Sequence, residues 1–245
     1  VTVLSVNVNK IALLRNSRGR DFPSVLGFSE QLISLGVKGI TVHPRPDERH
    51  ITRRDVYELS EMLADKPGVE FNIEGYPSEA FIKMVSEVQP EQCTLVPDAP
   101  DQLTSDHGWN IPQNQSRLLE VLSELRERGI RSSLFLDPDG KMVEQVCSVG
   151  ADRIELYTED YASHFGGPEQ DAVLARYREA AERAGELEIG INAGHDLDLK
   201  NLAKFLEIPN ILEVSIGHAL VVESLQSGIE DVIARYLAIV DGASA

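Results

Sequence analysis

Between Gly39 and His50 the chain passes from a β-branched apolar run into a cluster of imidazoles and guanidiniums. Ile40, Thr41 and Val42 read as a short buried strand. His43 follows, then Pro44 and Pro46, which cannot extend a sheet. Arg45, Arg49 and His50 lie beyond, with Arg53 and Arg54 just downstream. Guanidinium binds phosphate through paired hydrogen bonds, and imidazole exchanges protons near neutral pH. One strand end thus offers both anion binding and acid–base chemistry.

Other groups of the same kind fall at comparable places. Asn7, Asn9 and Lys10 leave the first apolar run, and Glu74 ends an alternating run that begins at Val69. Thr104 lies in a long polar stretch, and Glu155 sits inside the run from Arg153 to Tyr157. Gly194-His195-Asp196 and Gly217-His218 repeat one arrangement, Gly-His after a strand. Glycine lets backbone N–H groups come close to an anion, and a helix N-terminus adds its dipole. Four of the six histidines (His43, His50, His195, His218) fall at or just past strand ends; His107 and His164 fall in loops.

Each group also has a plainer reading. His43 could be a hydrogen-bonded core histidine, Glu74 a solvated strand-end charge and Glu155 the partner of a buried cation. Arg15, Arg18 and Arg20 could be a solvated loop, and the Gly-His pairs could be turn glycines beside surface histidines. No His-x-His or His-Glu-x-x-His spacing marks a metal site, so none is expected.

These groups need elements to hold them. Strands are expected at 3–8, 40–42, 69–74, 93–96, 132–136, 153–157, 187–191 and 211–216. Helical spacing runs over 24–35, 56–63, 78–88, 118–128, 143–149, 171–184, 199–206 and 219–240. Pro97 to Arg117 has no periodicity and reads as a lid-like loop. Eight strand–helix alternations without a linker predict one α/β domain over 1–245, a closed (β/α)8 barrel. An open doubly wound sheet is the runner-up, but the Gly-rich fingerprint expected after its first strand is missing. In a barrel the strand ends share one rim, so distant residues could meet there.

A formal net charge of −17 argues against a general nucleic-acid or anionic-membrane surface. The charge is uneven: residues 1–55 carry nine Lys/Arg against five Asp/Glu, a net +4 that leaves −21 for the remainder. A local basic region in an acidic chain fits a small anionic ligand. Cys93 and Cys147 lack metal or redox spacing. No apolar run reaches membrane-spanning length and the start has no signal-peptide pattern, so a cytoplasmic location is expected.

The chain resembles the pyridoxine 5'-phosphate synthase family, the ring-closing enzymes of the deoxyxylulose-dependent vitamin B6 pathway. The resemblance runs nearly end to end, through VNVNKIALLRNSRG (6–19), GITVHPRPDERHIT (39–52), NIE (72–74), LVPD (95–98), INAGH (191–195) and SIGHAL (215–220). It implies a (β/α)8 TIM barrel with extra helices, a homo-octamer, and no redox cofactor or metal. The implied reaction condenses 3-amino-2-oxopropyl phosphate with 1-deoxy-D-xylulose 5-phosphate to pyridoxine 5'-phosphate, phosphate and water. His43 and Glu74 match the family's proton acceptors and His195 its proton donor. Asn7, Arg18, Arg45, His50, Thr104, Gly217 and His218 match ligand-binding positions, and Glu155 an active-site carboxylate. The loop after the fourth strand matches its mobile cover. Asn9-Lys10 stands where the familiar version has Asp-His, and Asp196 where it has Gly; Asn9, Lys10 and Asp196 therefore join the expected binding set. Apart from the resemblance, the same residues would also suit a phosphosugar aldolase or isomerase, or a non-catalytic phospho-ligand barrel.

Overall fold

The computed structural model describes residues 1–98 and 105–242. Its elements begin with β1 (Val3–Asn7), α1 (Asn9–Asn16), α2 (Val25–Ser34), β2 (Gly39–Val42), α3 (Arg53–Ala64), β3 (Glu70–Gly75) and α4 (Glu79–Val88). The middle of the chain supplies β4 (Gln92–Leu95), α5 (Ile111–Glu127), β5 (Arg131–Leu136), α6 (Gly140–Val149), β6 (Arg153–Tyr157), α7 (Glu159–His164) and α8 (Gln170–Glu186). It ends with β7 (Gly190–Gly194), α9 (Leu202–Phe205), β8 (Ile211–Ile216), α10 (His218–Ser227) and α11 (Ile229–Gly242). The strands pair in parallel in chain order, and β8 closes on β1, with Val3 opposite Glu213 and Val6 opposite Ile216. This is the closed (β/α)8 barrel with extra helices.

The strands alternate, and the alternation has an uncommon sense. The apolar set faces outward onto the helices: Leu4 and Val6, Ile40 and Val42, Phe71 and Ile73, Leu134 and Leu136, Val214 and Ile216, all buried. Each such side chain contributes about 1.5–3 kcal/mol on leaving water. The inward set is polar. Ser5 and Thr41 share a hydroxyl contact of 2.7 Å, and Thr94 donates to Asn72 at 3.0 Å. Asn192 on β7 donates to Gln92 on β4 at 3.1 Å, and Gln92 to Glu213 on β8 at 3.4 Å. Non-neighbouring strands can meet in this way only across the barrel interior. Buried polar groups remain tolerable when they are paired like this.

Local signals explain most helix starts. Ser24, Ser78 and Asp139 accept from backbone N–H groups at their helix starts. Thr52 and Asp55 form a reciprocal capping box. Some expected boundaries need correction. Residues 111–117, expected as loop, form the first two turns of α5. Asn110 caps it and Pro112 fits its first turn, but those turns are polar and so show no apolar period. The polar loop expected from Arg15 begins inside α1, and the loop expected around His164 holds α7. The single closing helix expected over 219–240 is two, divided at Gly228, whose φ of +83° breaks the helix. The seventh strand lies at 190–194, three residues later than expected. Among the described residues, no helix is long and apolar enough to cross a membrane.

Candidate active site

The C-terminal ends of β1, β2 and β3 are joined by side chains. Asn7 ends β1; its amide donates to Glu74 at 3.4 Å, and its carbonyl oxygen accepts from the Asn9 N–H at 3.0 Å. Asn9 in turn accepts from the backbone N–H of His43 at 2.9 Å. Asn9 is therefore a brace that sets the start of the β2 loop. Gly217, after β8, lies against Asn7 so closely that a β-carbon there would come within 3.0 Å of the Asn7 β-carbon. Gly194 packs in the same way against the Glu155 carboxylate. Neither glycine has positive φ, so what each supplies is close approach between neighbouring strand ends.

The two rim histidines of the β2 loop are 6.3 Å apart by ring centroid, edge to face. His43 is buried, and burial, then the charges of Arg45, His50 and Arg49, hold its imidazole well below the usual range. His50 is pushed down to about 4, first by burial and then by Arg45, Arg49 and Lys10. Both rings are neutral at physiological pH, which suits proton acceptance at His43. The Nδ1 of His50 accepts from Ile51 N–H at 2.9 Å, so its hydrogen sits on Nε2.

Three carboxyls stand in the barrel beneath. Burial raises Glu74 well above the usual range, with Glu155, Glu213 and Asp98 adding and Arg45 opposing. Glu155 rises to about 8 and Glu213 to about 7, burial again coming first. Glu155 is 3% exposed, and its Oε2 has no hydrogen-bond partner among the described residues. Glu74 and Glu155 can therefore hold protons near neutral pH and release them when a cation arrives. Glu155 is not neutralised by a buried cation, which removes its plainer reading.

Arg45 is buried and ion-paired with Asp98, which also accepts from the Ser105 hydroxyl at 2.8 Å. Arg15 is not a loop guanidinium awaiting an anion. It pairs with Asp55, and its second bond to that carboxylate is 2.8 Å. Asn16 donates to the His50 carbonyl at 2.8 Å, so α1 pins the β2 loop. Arg18 is exposed and lines a surface depression with Arg20 and Phe22.

On the far side of the rim, Tyr157 meets the His195 ring edge-on at 4.9 Å, and Asp196 lies 2.6 Å from His195 Nδ1. Asp196 turns its carboxylate onto this ring and does not cap the following helix. Lys10, half-buried on α1, acts on both His50 and Asp196, as His218 does on Asp196. Contacts thus join His50, His43, Asn9, Asn7 and Glu74 on one side of the rim and Tyr157, His195 and Asp196 on the other, while Lys10 acts by charge on both sides. His218 opens α10 behind Gly217, leaving a helix N-terminus at the mouth. Thr104 lies outside the described residues, as does part of the expected lid. The stretch after it is anchored: Trp109 donates to the Leu95 carbonyl at 2.8 Å.

Asp98, the bracing role of Asn9 and the Tyr157 contact were not read from the sequence. Asp98 closes the LVPD stretch, and Tyr157 ends a strand in register with Glu155; the period of two that brings Glu155 inward also brings Tyr157. Among the described residues, no cluster of three His, Cys, Asp or Glu side chains could hold a metal ion.

Known proteins resemble the chain over nearly its whole length. The family model described as pyridoxal phosphate biosynthesis protein PdxJ matches residues 4–242. A pyridoxine 5'-phosphate synthase of Christiangramia forsetii is 52% identical over 238 residues, 97% of this chain and 98% of the relative. One from Leptospira biflexa is 47% identical over 250 aligned residues, 97% of this chain and 96% of the relative. Among solved structures, thiamine phosphate pyrophosphorylase from Pyrococcus furiosus superposes with a TM-score of 0.62 at 11% identity, covering 100% of this chain and 97% of that one. Phosphoribosylanthranilate isomerase from Thermotoga maritima gives 0.59 at 13%, covering 99% and 100%. At such identities the two structures show the barrel alone.

Proposed function

The chain belongs to the PdxJ family of pyridoxal phosphate biosynthesis proteins, and from that premise we propose how its rim condenses 3-amino-2-oxopropyl phosphate with 1-deoxy-D-xylulose 5-phosphate. It is an enzyme of vitamin B6 synthesis, and its product is pyridoxine 5'-phosphate. Joining an amine to a ketone and closing a ring requires repeated proton transfers and loss of water and phosphate. What supports the proposal most directly is the run of contacts from His50 and His43 through Asn9 and Asn7 to Glu74, which joins two neutral imidazoles to a proton-holding carboxyl at adjoining strand ends.

In this reading His43, neutral and buried, accepts a proton from a substrate carbon or hydroxyl. Glu74 begins protonated; the ammonium of the arriving amine favours its ionised form, so its proton passes to solvent as the substrate binds, and the carboxylate then accepts a proton from that ammonium to free the amine. His195 donates to a departing oxygen. Glu155 supports charge developing beside Glu74. One phosphate is held by Arg45, His50 through Nε2, and Thr104, with Lys10 near by. The other lies at the α10 N-terminus, against the backbone of Gly217 and His218. Asn7 and Asn9 hold the acid–base groups in register, and Arg18 is a peripheral anion contact. Holding both substrates together removes much of the entropic barrier. The described part of the stretch after β4, anchored by Trp109 on Leu95, helps keep water from reactive imine and enol intermediates. We further place the enzyme in the cytoplasm as a homo-octamer, without redox cofactor or metal, since none of the steps needs one.

The test is incubation of the purified protein with both substrates, with product followed by mass. Pyridoxine 5'-phosphate should form only when both are present. Tight binding of both with no product would overturn the proposal.

A further inference from the structure

The turn after β7 holds two consecutive non-glycine residues in the left-handed region, His195 at φ +80° and Asp196 at φ +60°. Each such residue costs roughly 1 kcal/mol or more, and sites that keep this strain are over-determined by their surroundings. Here the surroundings are explicit. Thr158, fully buried, donates its hydroxyl to the Gly194 carbonyl at 3.0 Å and also to that of His195. Asn201 donates to the Asp196 carbonyl at 3.1 Å, and the Asn201 carbonyl accepts from the Tyr161 hydroxyl at 2.8 Å. The backbone is thus clamped from β6, α7 and the segment before α9.

This clamp sets one side-chain contact. Asp196 Oδ2 lies 2.6 Å from His195 Nδ1, while Tyr157 meets the same ring at 80° and 4.9 Å. The hydrogen bond from His195 holds the Asp196 carboxyl below its usual range, against the opposing effect of burial; His195, His218 and Lys10 add by charge. An ionised carboxylate only accepts, so Nδ1 carries the hydrogen. Nε2 is then the nitrogen that trades a proton with substrate.

We infer that Asp196 is a positioning residue for His195: it fixes the hydrogen on Nδ1, steadies the imidazolium, and so makes Nε2 the acid of the reaction. This rests on the reading of His195 as proton donor. It also accounts for a carboxylate beside an anion-binding turn, since its charge is matched to the imidazolium and not aimed at phosphate. Tyr157 on β6 has a phenol pushed up to about 12, by burial first and then by Glu159, Asp196, Asp106 and Asp137, and stays neutral. Lys10 on α1 and His218 on α10 act by charge on Asp196, and Asp196, in contact with Nδ1, stabilises an imidazolium.

The test uses Asp196→Asn, which keeps the size and tolerates left-handed backbone, and Asp196→Gly, which also relieves the strain. The ring nitrogens of His195 are followed by 15N NMR against pH in substrate-free protein, and kcat and KM are measured over the same range. In Asp196→Gly the preference for hydrogen on Nδ1 should be lost, because its acceptor is gone. In both variants kcat should drop about 2- to 5-fold, the loss of one partly exposed charge contact, with KM changed less than about twofold. Asp196→Gly should melt no lower than wild type. A folded Asp196→Gly variant with the wild-type Nδ1–H tautomer would overturn the inference. The NMR arm needs no turnover, so it decides this point even if the condensation assay fails.

Discussion

A β-carbon on Gly194 would come within 2.2 Å of Glu155 Oε1. The backbone of the β7 strand end and the carboxylate inside β6 therefore occupy adjoining space with none to spare. Gly194→Ala must push Glu155 aside or open the β6–β7 pairing. It should lower kcat by about 10²-fold or more, the cost of a small misplacement at a reacting centre, while the melting temperature falls only a few degrees. Steady-state kinetics beside a thermal melt would check this.

Removing His43 or Glu74 removes a proton carrier and not a scaffold. His43→Ala and Glu74→Gln should each cut turnover by about 10²–10⁴-fold, the usual contribution of one acid or base. Both should keep the far-ultraviolet circular dichroism of the wild type. Either variant turning over at the wild-type rate would take that residue out of the mechanism.

Glu155 gives a pH-dependent stability of known sign. Its folded value, about 8, lies above that of an unfolded carboxyl. Between these values the folded state binds more protons than the unfolded one, so this group makes stability fall as pH rises. Glu155→Gln should therefore be more stable than wild type at pH 9, by a margin on the order of 2–4 kcal/mol, and the gap should shrink towards pH 4.5. Urea melts at pH 5 and pH 9 would show it; equal differences at both would contradict it.

Arg45 is both a proposed phosphate ligand and the partner of buried Asp98. Arg45→Ala should raise KM and also destabilise the fold by about 3–5 kcal/mol, because it strands a buried carboxylate. Adding Asp98→Asn should restore much of the stability and none of the binding. Arg18→Ala, on an exposed loop, should leave the melting temperature unchanged and raise KM by a smaller factor.

The barrel was legible because its β-branched runs alternate with amphipathic stretches eight times, and the strand-end position of His43, Glu74 and His195 followed from it. What escaped had physical reasons. The first turns of α5 are polar, so no apolar stripe announces them; Asn110 and Pro112 carried the only signal. Arg15 looked like an anion ligand because its partner, Asp55, is 40 residues away and reaches it only in the fold. Asp98 was hidden likewise from Arg45. The polar barrel interior was present in the sequence as a period of two, in Asn72 and Glu74, Gln92 and Thr94, and Arg153 and Glu155. A polar residue in a strand is usually assigned to solvent, and only closure of the sheet turns it inward.

The central claim is that one rim joins two phosphorylated substrates by proton transfer among groups from separate strands. A single-turnover reaction with both substrates, at enzyme in excess, measures it most directly. Wild type should release phosphate and form pyridoxine 5'-phosphate in equal amounts, while Glu74→Gln and His43→Ala bind both substrates and form neither product. Phosphate released without pyridoxine 5'-phosphate, or full product from either variant, would contradict the account.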